Sequence, residues 1–512
     1  MSKEKRINML YTPIKICSPK LRMTIIRAMK KQFGWDEDLA TNVVKGLVEK
    51  YFSVLSPNLV VVVEYPYVDK VYRNSYYRYY AGKAEQTARD CIRLSFLIDT
   101  SPTLANKSMK PELWTQFYRG FMILRPTELN VVGRNGISPM IYNDNDFVIC
   151  KTNLPASING LKANVEAFPA SSQDIETMVC AETAVWALME YFGNRYAEYT
   201  PVRPSHIINL LKSKSFERQL PSTGLTNDQI CYLLKNLNFQ PILQAIIDDA
   251  DGYSLISTFV ESGIPIVITI NNSEAYENGD VDELIAHAIL CIGHENVSSK
   301  AIDEAIAETN EDGINIVDYD KIKKKFVFID DNYPAYCKDY LSKPTERYND
   351  VPDEVERDSW LACRIKFAII PLYEKILLIP GLVKIMAINF LQYLKIPDGT
   401  ELTMRTFLAS SRSYRDYVCR NNMPQNMKDL ILNLYLPKFI WVVELSTRTG
   451  LKQNYAEGLM IFDSTEPNFK NFSSLDIMYY KMHAAYKDKR QILQYDYNVP
   501  EVRFECFRNN LR

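Results

Sequence analysis

The side chains with the clearest chemical potential are a cysteine, a histidine and an aspartate, in that order along the chain. Cys180 opens an apolar stretch with helical character, and His287 lies inside a nearly continuous apolar run at 286–293. Asp330 ends the following apolar run. The N-terminus of a helix lowers the pKa of a thiol, and an imidazole oriented by a carboxylate can act as its base. The order therefore predicts nucleophilic chemistry by a thiol.

A possible oxyanion donor precedes the cysteine. Gln173 lies seven residues before Cys180 on a predicted loop. Its amide, together with a backbone N–H at the helix start, could donate to the oxyanion that forms when a thiolate attacks a carbonyl. Asp331 and Asn332 are adjacent alternatives to Asp330, but strand alternation predicts that Asp331 points to the opposite face. Taken singly, a cysteine or histidine in an apolar run is more often a residue of the core.

The remaining histidines are predicted to have surface or capping roles. They are His206 at a helix start, His294 at a strand end and His483 on a helix face. His287 and His294 are seven residues apart and so lie on opposite faces of a strand, which argues against a shared metal. The sequence contains no Walker loop and no G-x-G-x-x-G, G-x-S-x-G or H-E-x-x-H motif. We therefore expect no cofactor and no metal.

The segment that carries these residues is predicted to fold as helices followed by an antiparallel sheet. The periodicity predicts helices at 179–192, 205–212 and 230–237 and strands at 264–270, 286–293 and 325–330. This order is typical of an α+β fold. Residues 296–324 are acidic and poor in apolar residues, so we expect a surface insertion there.

The two flanks are predicted to be further α+β regions, at 1–160 and 346–512. The first has helical periodicity at 20–55 and strand patterns at 59–97, 120–124 and 146–151. The second has a strand at 363–370, helices near 382–394 and 427–434, and a hairpin formed by 439–445 and 458–462. The tyrosine-rich run at 71–80 is predicted to be a β surface rather than a platform for single-stranded nucleic acid.

The order Gln, Cys at a helix start, His in a strand and Asp at a strand end resembles the papain-like cysteine peptidase superfamily. The pattern is most similar to its bacteriocin-processing (double-glycine) branch and to related uncharacterised bacterial proteins. The resemblance covers residues 165–340 and includes Tyr191-Phe192-Gly193, Gly224-Leu225-Thr226 and the segment 263–267 before the histidine strand. It implies a papain-like core at 161–345, with the α+β flanks on either side.

The resemblance also implies a role for each residue. Cys180 would be the nucleophile, His287 the general base and acid, Asp330 the group that orients the imidazole, and Gln173 the oxyanion donor. The chain departs from the pattern at three points: Gln173 is one residue further from the cysteine than usual, Ala181 stands where glycine is common, and 42 residues separate His287 from Asp330. The first two departures concern the oxyanion hole.

Composition limits the class of protein and its location. The 512 residues, 47% hydrophobic and 12% aromatic, exclude disorder, and a net charge of −2 argues against a nucleic-acid partner. Ten cysteines without C-x-x-C spacing predict free thiols in a reducing compartment. The N-terminus lacks the apolar core of a secretion signal, and prolines and charges interrupt the longest apolar region, at 367–391. We expect a cytoplasmic protein that does not enter a membrane.

Three functions are compatible with these residues. The first expectation is a cysteine peptidase or related thiol hydrolase that cleaves an amide bond in a protein or peptide substrate. A deamidase or an acyl-transferase would use the same triad. A non-enzymatic interaction protein built on a degenerate papain-like domain is the third, and it predicts an unreactive Cys180 that does not contact His287.

Overall fold

A computed structural model describes residues 13–511 apart from 85, 100–114, 159–160, 215–219, 223, 248–249, 395, 468–474, 482, 489–490 and 497–502. The first twelve residues, which include most of the stretch inspected for a secretion signal, lie outside this part. The chain combines helices with mainly antiparallel sheets, which confirms the α+β class. The helices are Pro19–Phe33, Glu37–Leu47, Lys70–Arg78, Cys180–Arg195, Pro204–Leu211, Asn227–Asn236, Ala250–Glu261, Ser273–Glu277, Ser299–Glu304, Glu354–Leu361, Pro380–Phe390, Ser411–Arg420, Gln425–Leu432 and Arg448–Lys452. No described helix has the length and apolarity that a membrane crossing requires.

A seven-stranded antiparallel sheet, here called the central sheet, carries the predicted histidine. Its edge-to-edge order is Cys337–Asp339, Phe326–Ile329, Ala286–Glu295, Ile266–Asn271, Arg364–Tyr373 and Phe239–Ala245, and Phe147–Ile149 pairs with the far end of Ala286–Glu295. The helix Cys180–Arg195 packs against the histidine strand. All twelve residues from Ala181 to Phe192 are buried, because the helix is apolar nearly all round and is enclosed on every side.

Two further sheets flank the central one. The N-terminal sheet is antiparallel and contains Ile14–Lys15, Leu59–Tyr67, Cys91–Ile98, Tyr118–Leu124 and Val132–Ile137. The C-terminal sheet contains Glu308–Thr309, Asn315–Asp318, Glu401–Ser410, Phe439–Ser446, Gly458–Asp463, Leu475–Tyr480, His483–Asp488 and Gln491–Asp496. The strands Thr152–Ile158 and Leu161–Ala167 form a separate hairpin, and Tyr455–Ala456 pairs with Phe504–Glu505. One large apolar core includes residues of all three main sheets.

The central sheet extends beyond the predicted core of 161–345 on both sides. Phe147–Ile149 comes from the predicted N-terminal region, and Arg364–Tyr373 comes from the predicted C-terminal region. The segment 296–324, predicted to lie on the surface, crosses to the C-terminal sheet, where Asn315–Asp318 pairs in parallel with Glu401–Ser410. That prediction is wrong for the second half of the segment, since Val317 and Tyr319 are buried. Charged residues between these apolar ones conceal the buried pattern in the sequence.

The tyrosine-rich run is a helix, not a β surface. Lys70–Arg78 begins after Asp69, whose side chain accepts the backbone N–H groups of Val71 and Tyr72, each at 2.9 Å. This cap satisfies donors at the helix start and outweighs the strand preference of valine and tyrosine. His483 is also wrongly predicted, because it begins a strand, His483–Asp488.

His294 is buried rather than on the surface. Its Nε2 lies 2.6 Å from Glu261 Oε2 in the helix Ala250–Glu261. Arg405 donates to Glu261 at 2.7 Å and to Glu444 at 2.7 Å in the C-terminal sheet. Burial opposes ionisation of Glu261, but the charge of Arg405 holds the pKa of that carboxyl well below its usual range. This series of polar contacts, from His294 through Glu261 and Arg405 to Glu444, therefore joins the central sheet to the C-terminal sheet. His206 is exposed, as predicted.

Gly293 tests the junction between the central sheet and the N-terminal flank. A Cβ at this position would lie 2.1 Å from the carbonyl oxygen of Val148. We expect Gly293→Ala to separate the paired strands and to cost about 2–4 kcal/mol of stability, measured by urea denaturation. Gly46→Ala is the control, because no atom outside its own stretch of helix lies within 4 Å of that added Cβ and alanine favours a helix. Equal stability of the two variants would contradict the close approach.

Candidate functional site

Cys180 is the first residue of the helix Cys180–Arg195 and is half-buried. The residue before the helix, Val179, provides no side-chain cap. The helix start therefore presents N–H groups and partial positive charge beside the thiol. This position is the one predicted for the nucleophile.

The loop before Cys180 is held at two points. The Asp174 carboxylate accepts the backbone N–H groups of Glu176, Thr177 and Met178 at 3.2, 2.6 and 2.8 Å. Arg125 donates to the carbonyl of Ser172 at 2.8 Å and to that of Gln173 at 2.7 Å. Both contacts fix the backbone around Gln173. The loop is therefore a defined structure that leads into the helix.

His287 joins the cysteine to the aspartate. The histidine is buried, and the Cys180 thiol lies close enough to its imidazole to influence the pKa of the ring. Its Nε2 lies 3.0 Å from Asp330 Oδ1, which leaves Nδ1 as the ring nitrogen that can serve the thiol. Burial alone would lower the pKa of His287, but the charge of Asp330 and hydrogen bonds to Asp330 and Cys180 raise it well above its usual value. The structure thus brings the three predicted residues together.

Asp330 is held as a buried anion. Its Oδ2 accepts a hydrogen bond from Arg347 Nε at 3.1 Å and from the Tyr348 hydroxyl at 2.9 Å. Its Oδ1 accepts the backbone N–H of Asn332 at 3.0 Å as well as the imidazole. Burial would raise the pKa of Asp330, but the charges of Arg347 and His287 hold it far below its usual range. Asp330 can therefore orient the imidazole without taking its proton.

Asp331 faces the same imidazole, contrary to the prediction. Its Oδ1 lies 3.3 Å from His287 Nε2. The strand Phe326–Ile329 ends before Asp330, so strand alternation no longer applies at the turn that follows. Neither oxygen of Asp331 has a hydrogen-bond partner among the described residues, although the side chain is 4% exposed. Burial raises the pKa of Asp331 to about 7 against the effect of the charged imidazole.

Gln173 lies beside the aspartate turn. Its Nε2 donates to Asn332 Oδ1 at 3.1 Å, and Asn332 Nδ2 donates to the Tyr348 hydroxyl at 3.1 Å. The predicted oxyanion donor is therefore connected to the residues that hold Asp330. Asn332, considered in the sequence as an alternative to Asp330, instead links Gln173 to that carboxylate.

Sequence reasoning missed Arg347, Tyr348 and Trp360. The rings of Trp360 and His287 are perpendicular, with 5.4 Å between their centroids, and Trp360 stacks on Tyr348 with 4.0 Å between the centroids. Trp360 therefore covers one side of the imidazole, and Tyr348 packs behind Trp360. All three residues lie beyond residue 345, and no motif or spacing connects them to the triad. Cys337 also lies close by, but burial raises the pKa of its thiol to about 12.

Among the described residues, His287, Asp330 and Asp331 form a group that could hold a metal ion. Their ligand atoms lie within 4.8 Å of one another. However, Arg347 already neutralises Asp330, and a guanidinium on a metal ligand opposes binding of a second cation.

No protein-family model matches the chain, and no curated protein matches its sequence. The geometry of the site is therefore the basis on which a function can be assigned to the chain.

The buried carboxyl of Asp331 should make stability depend on pH. Between about pH 4 and pH 7 the folded protein keeps a proton on Asp331 that the unfolded chain releases, so its contribution to stability falls as the pH rises through this range. Asp331→Asn removes this titration. Its stability relative to wild type should rise by up to about 1.4 kcal/mol per pH unit across the range, measured by urea denaturation. Asp398→Asn, at an exposed carboxylate, is the matched control. Parallel curves for wild type and Asp331→Asn would contradict the assignment.

Proposed function

We propose that the protein is a thiol hydrolase that cleaves an amide bond, most simply a cysteine peptidase. One observation carries the proposal: the buried imidazole of His287 contacts the Cys180 thiol and the Asp330 carboxylate at the same time. The thiol stands at a helix N-terminus, where backbone N–H groups can donate to an oxyanion formed on a bound carbonyl. A degenerate scaffold for protein interactions predicts no such contact, so the arrangement favours the enzyme.

The chemistry follows the triad in two stages. His287 Nδ1 takes the thiol proton, and the sulfur of Cys180 attacks the amide carbon to form a tetrahedral oxyanion. The N–H groups at the helix start and the Gln173 amide stabilise that oxyanion. The C–N bond then breaks, and the amine leaves with the proton from His287. Water, deprotonated by the same imidazole, hydrolyses the thioester and regenerates the thiol. Asp330 remains ionised throughout.

The proposal includes a papain-like core. Its support is that a helix with the nucleophile at its N-terminus packs against an antiparallel sheet that provides the histidine, and the aspartate follows the neighbouring strand. In sequence, the helices Pro204–Leu211 and Asn227–Asn236 come between the nucleophile and the histidine strand. The flanking sheets would then select a protein or peptide substrate.

Deamidation and acyl transfer use the same thioester and differ in the leaving group and the final acceptor. A deamidase releases ammonia from a side-chain amide, and an acyl-transferase passes the acyl group to an amine instead of water. We propose the peptidase first, since the order of the site residues resembles that of papain-like cysteine peptidases. All ten cysteines are free, which supports a reducing, cytoplasmic location.

Acetylation by p-nitrophenyl acetate tests the proposed nucleophile without a known substrate. The Cys180 sulfur should displace p-nitrophenolate and carry one acetyl group, detected by mass spectrometry. We expect Cys180→Ala to lose this adduct at an unchanged melting temperature, and His287→Ala to acetylate about 10²–10⁴-fold more slowly. Cys17→Ala, which removes an exposed thiol elsewhere, is the matched control and should match wild type. A large loss of stability in Cys180→Ala, with no adduct on that residue in wild type, would support a buried structural thiol instead.

A further inference from the structure

A continuous chain of hydrogen bonds runs from Asp330 to Gln173. The Tyr348 hydroxyl lies 2.9 Å from Asp330 Oδ2, Asn332 Nδ2 lies 3.1 Å from that hydroxyl, and Gln173 Nε2 lies 3.1 Å from Asn332 Oδ1. The chain thus connects the residue that orients the imidazole with the predicted oxyanion donor. Its members come from a loop, a turn and a short helical segment, Glu346–Asp350.

The direction of every bond in this chain follows from its first member. An ionised carboxylate only accepts, so the Tyr348 hydroxyl must donate to Asp330. The oxygen of that hydroxyl is then free to accept a hydrogen bond. Of the two ends of the Asn332 amide, only the NH2 can donate it, so the NH2 must face Tyr348. The Asn332 carbonyl must therefore face Gln173, which has to present its own NH2 rather than its carbonyl. The charge on Asp330 consequently determines that Gln173 turns its NH2, and not its carbonyl, toward Asn332.

We infer that Asn332 is a positioning residue that holds the Gln173 amide in the orientation required of an oxyanion donor. This inference rests on the proposed function. A primary amide carries two N–H groups, so the bond to Asn332 uses one and the second is left to donate to the substrate oxygen. Asp330 then acts twice: it orients His287 directly, and it orients Gln173 through Tyr348 and Asn332.

The surroundings make this orientation rigid. The backbone N–H of Asn332 donates to Asp330 at 3.0 Å, which fixes the turn that carries Asn332. Tyr348 is buried and stacks on Trp360. Arg125 holds the backbone carbonyl of Gln173 at 2.7 Å. Both ends of Gln173 are therefore fixed, as preorganised transition-state stabilisation requires.

Two reactions of Cys180 separate this role from activation of the thiol. Alkylation by iodoacetamide displaces iodide at a saturated carbon and creates no oxyanion, so it reports only the reactivity of the thiolate. Acetylation by p-nitrophenyl acetate passes through a tetrahedral oxyanion and therefore also needs the donor. A loss of acetylation at constant alkylation is the signature of a damaged oxyanion hole.

The experiment measures both rates in the full-length protein for wild type and four variants. These are Gln173→Ala, Asn332→Ala, the double variant and Asn332→Asp. We expect acetylation to fall about 100-fold in Gln173→Ala and about 10-fold in Asn332→Ala, with alkylation unchanged in both. The double variant should match Gln173→Ala, because Asn332 acts only through Gln173. Asn332→Asp keeps an acceptor for Gln173 but loses the donor to the Tyr348 hydroxyl, so its acetylation should fall less than in Asn332→Ala, whereas a fold defect would affect both reactions.

Three results would overturn the inference. They are unchanged acetylation in Asn332→Ala, a double variant slower than Gln173→Ala by the full factor of Asn332→Ala, and a parallel fall of alkylation and acetylation. Each can occur while wild-type Cys180 still acetylates, so each leaves the proposed hydrolase intact. If wild-type Cys180 neither acetylates nor alkylates in the folded protein, the proposed function fails and the inference fails with it.

Discussion

The buried negative charge of Asp330 is the interaction on which the rest of the site depends. A desolvated carboxylate is costly unless charges and hydrogen bonds compensate it, and this one is compensated on every side. Arg347 and Tyr348 hold one oxygen, and His287 and the backbone of Asn332 hold the other. The same contacts that stabilise the anion align the imidazole and set the direction of the neighbouring hydrogen bonds. The fold is stable and the imidazole is aligned under the same condition, which is that Asp330 stays ionised and bonded to these partners.

This arrangement explains how a long connection can separate the histidine from the aspartate without disturbing them. The segment between them leaves the central sheet, adds the strand Asn315–Asp318 to the C-terminal sheet and returns as Phe326–Ile329 beside the histidine strand. The antiparallel pairing of Ala286–Glu295 with Phe326–Ile329 sets the register that brings Asp330 to His287. The extra residues between His287 and Asp330 therefore add a strand to the C-terminal sheet and leave the pairing beside His287 unchanged. The central sheet contains strands from all three predicted regions. The site therefore forms only when these regions fold together.

The sequence predicts the residues whose signals are local and misses those that depend on packing. The helix start at Cys180, the strand around His287 and the strand end at Asp330 all follow from apolar periodicity, and their order indicates the triad. Asp331 was wrongly assigned to the opposite face because strand alternation stops where the turn begins. Arg347 has no local signal, since only the three-dimensional turn after the strand Cys337–Asp339 brings its guanidinium to the carboxylate. His294 was missed for the same reason, because its partner Glu261 lies on a helix that sequence patterns did not predict.

The most direct test of the account is a pH series of limiting iodoacetamide labelling, mapped across all ten cysteines by mass spectrometry. We expect Cys180 to label fastest of the ten thiols, including at about pH 6, because the His287 imidazole beside it can take its proton. It should outpace the exposed thiols Cys17 and Cys419 at that pH and lose this advantage in His287→Ala. If Cys180 instead labels only after unfolding, as a buried thiol would, the Cys180–His287 pair is not an activated nucleophile and the account is wrong.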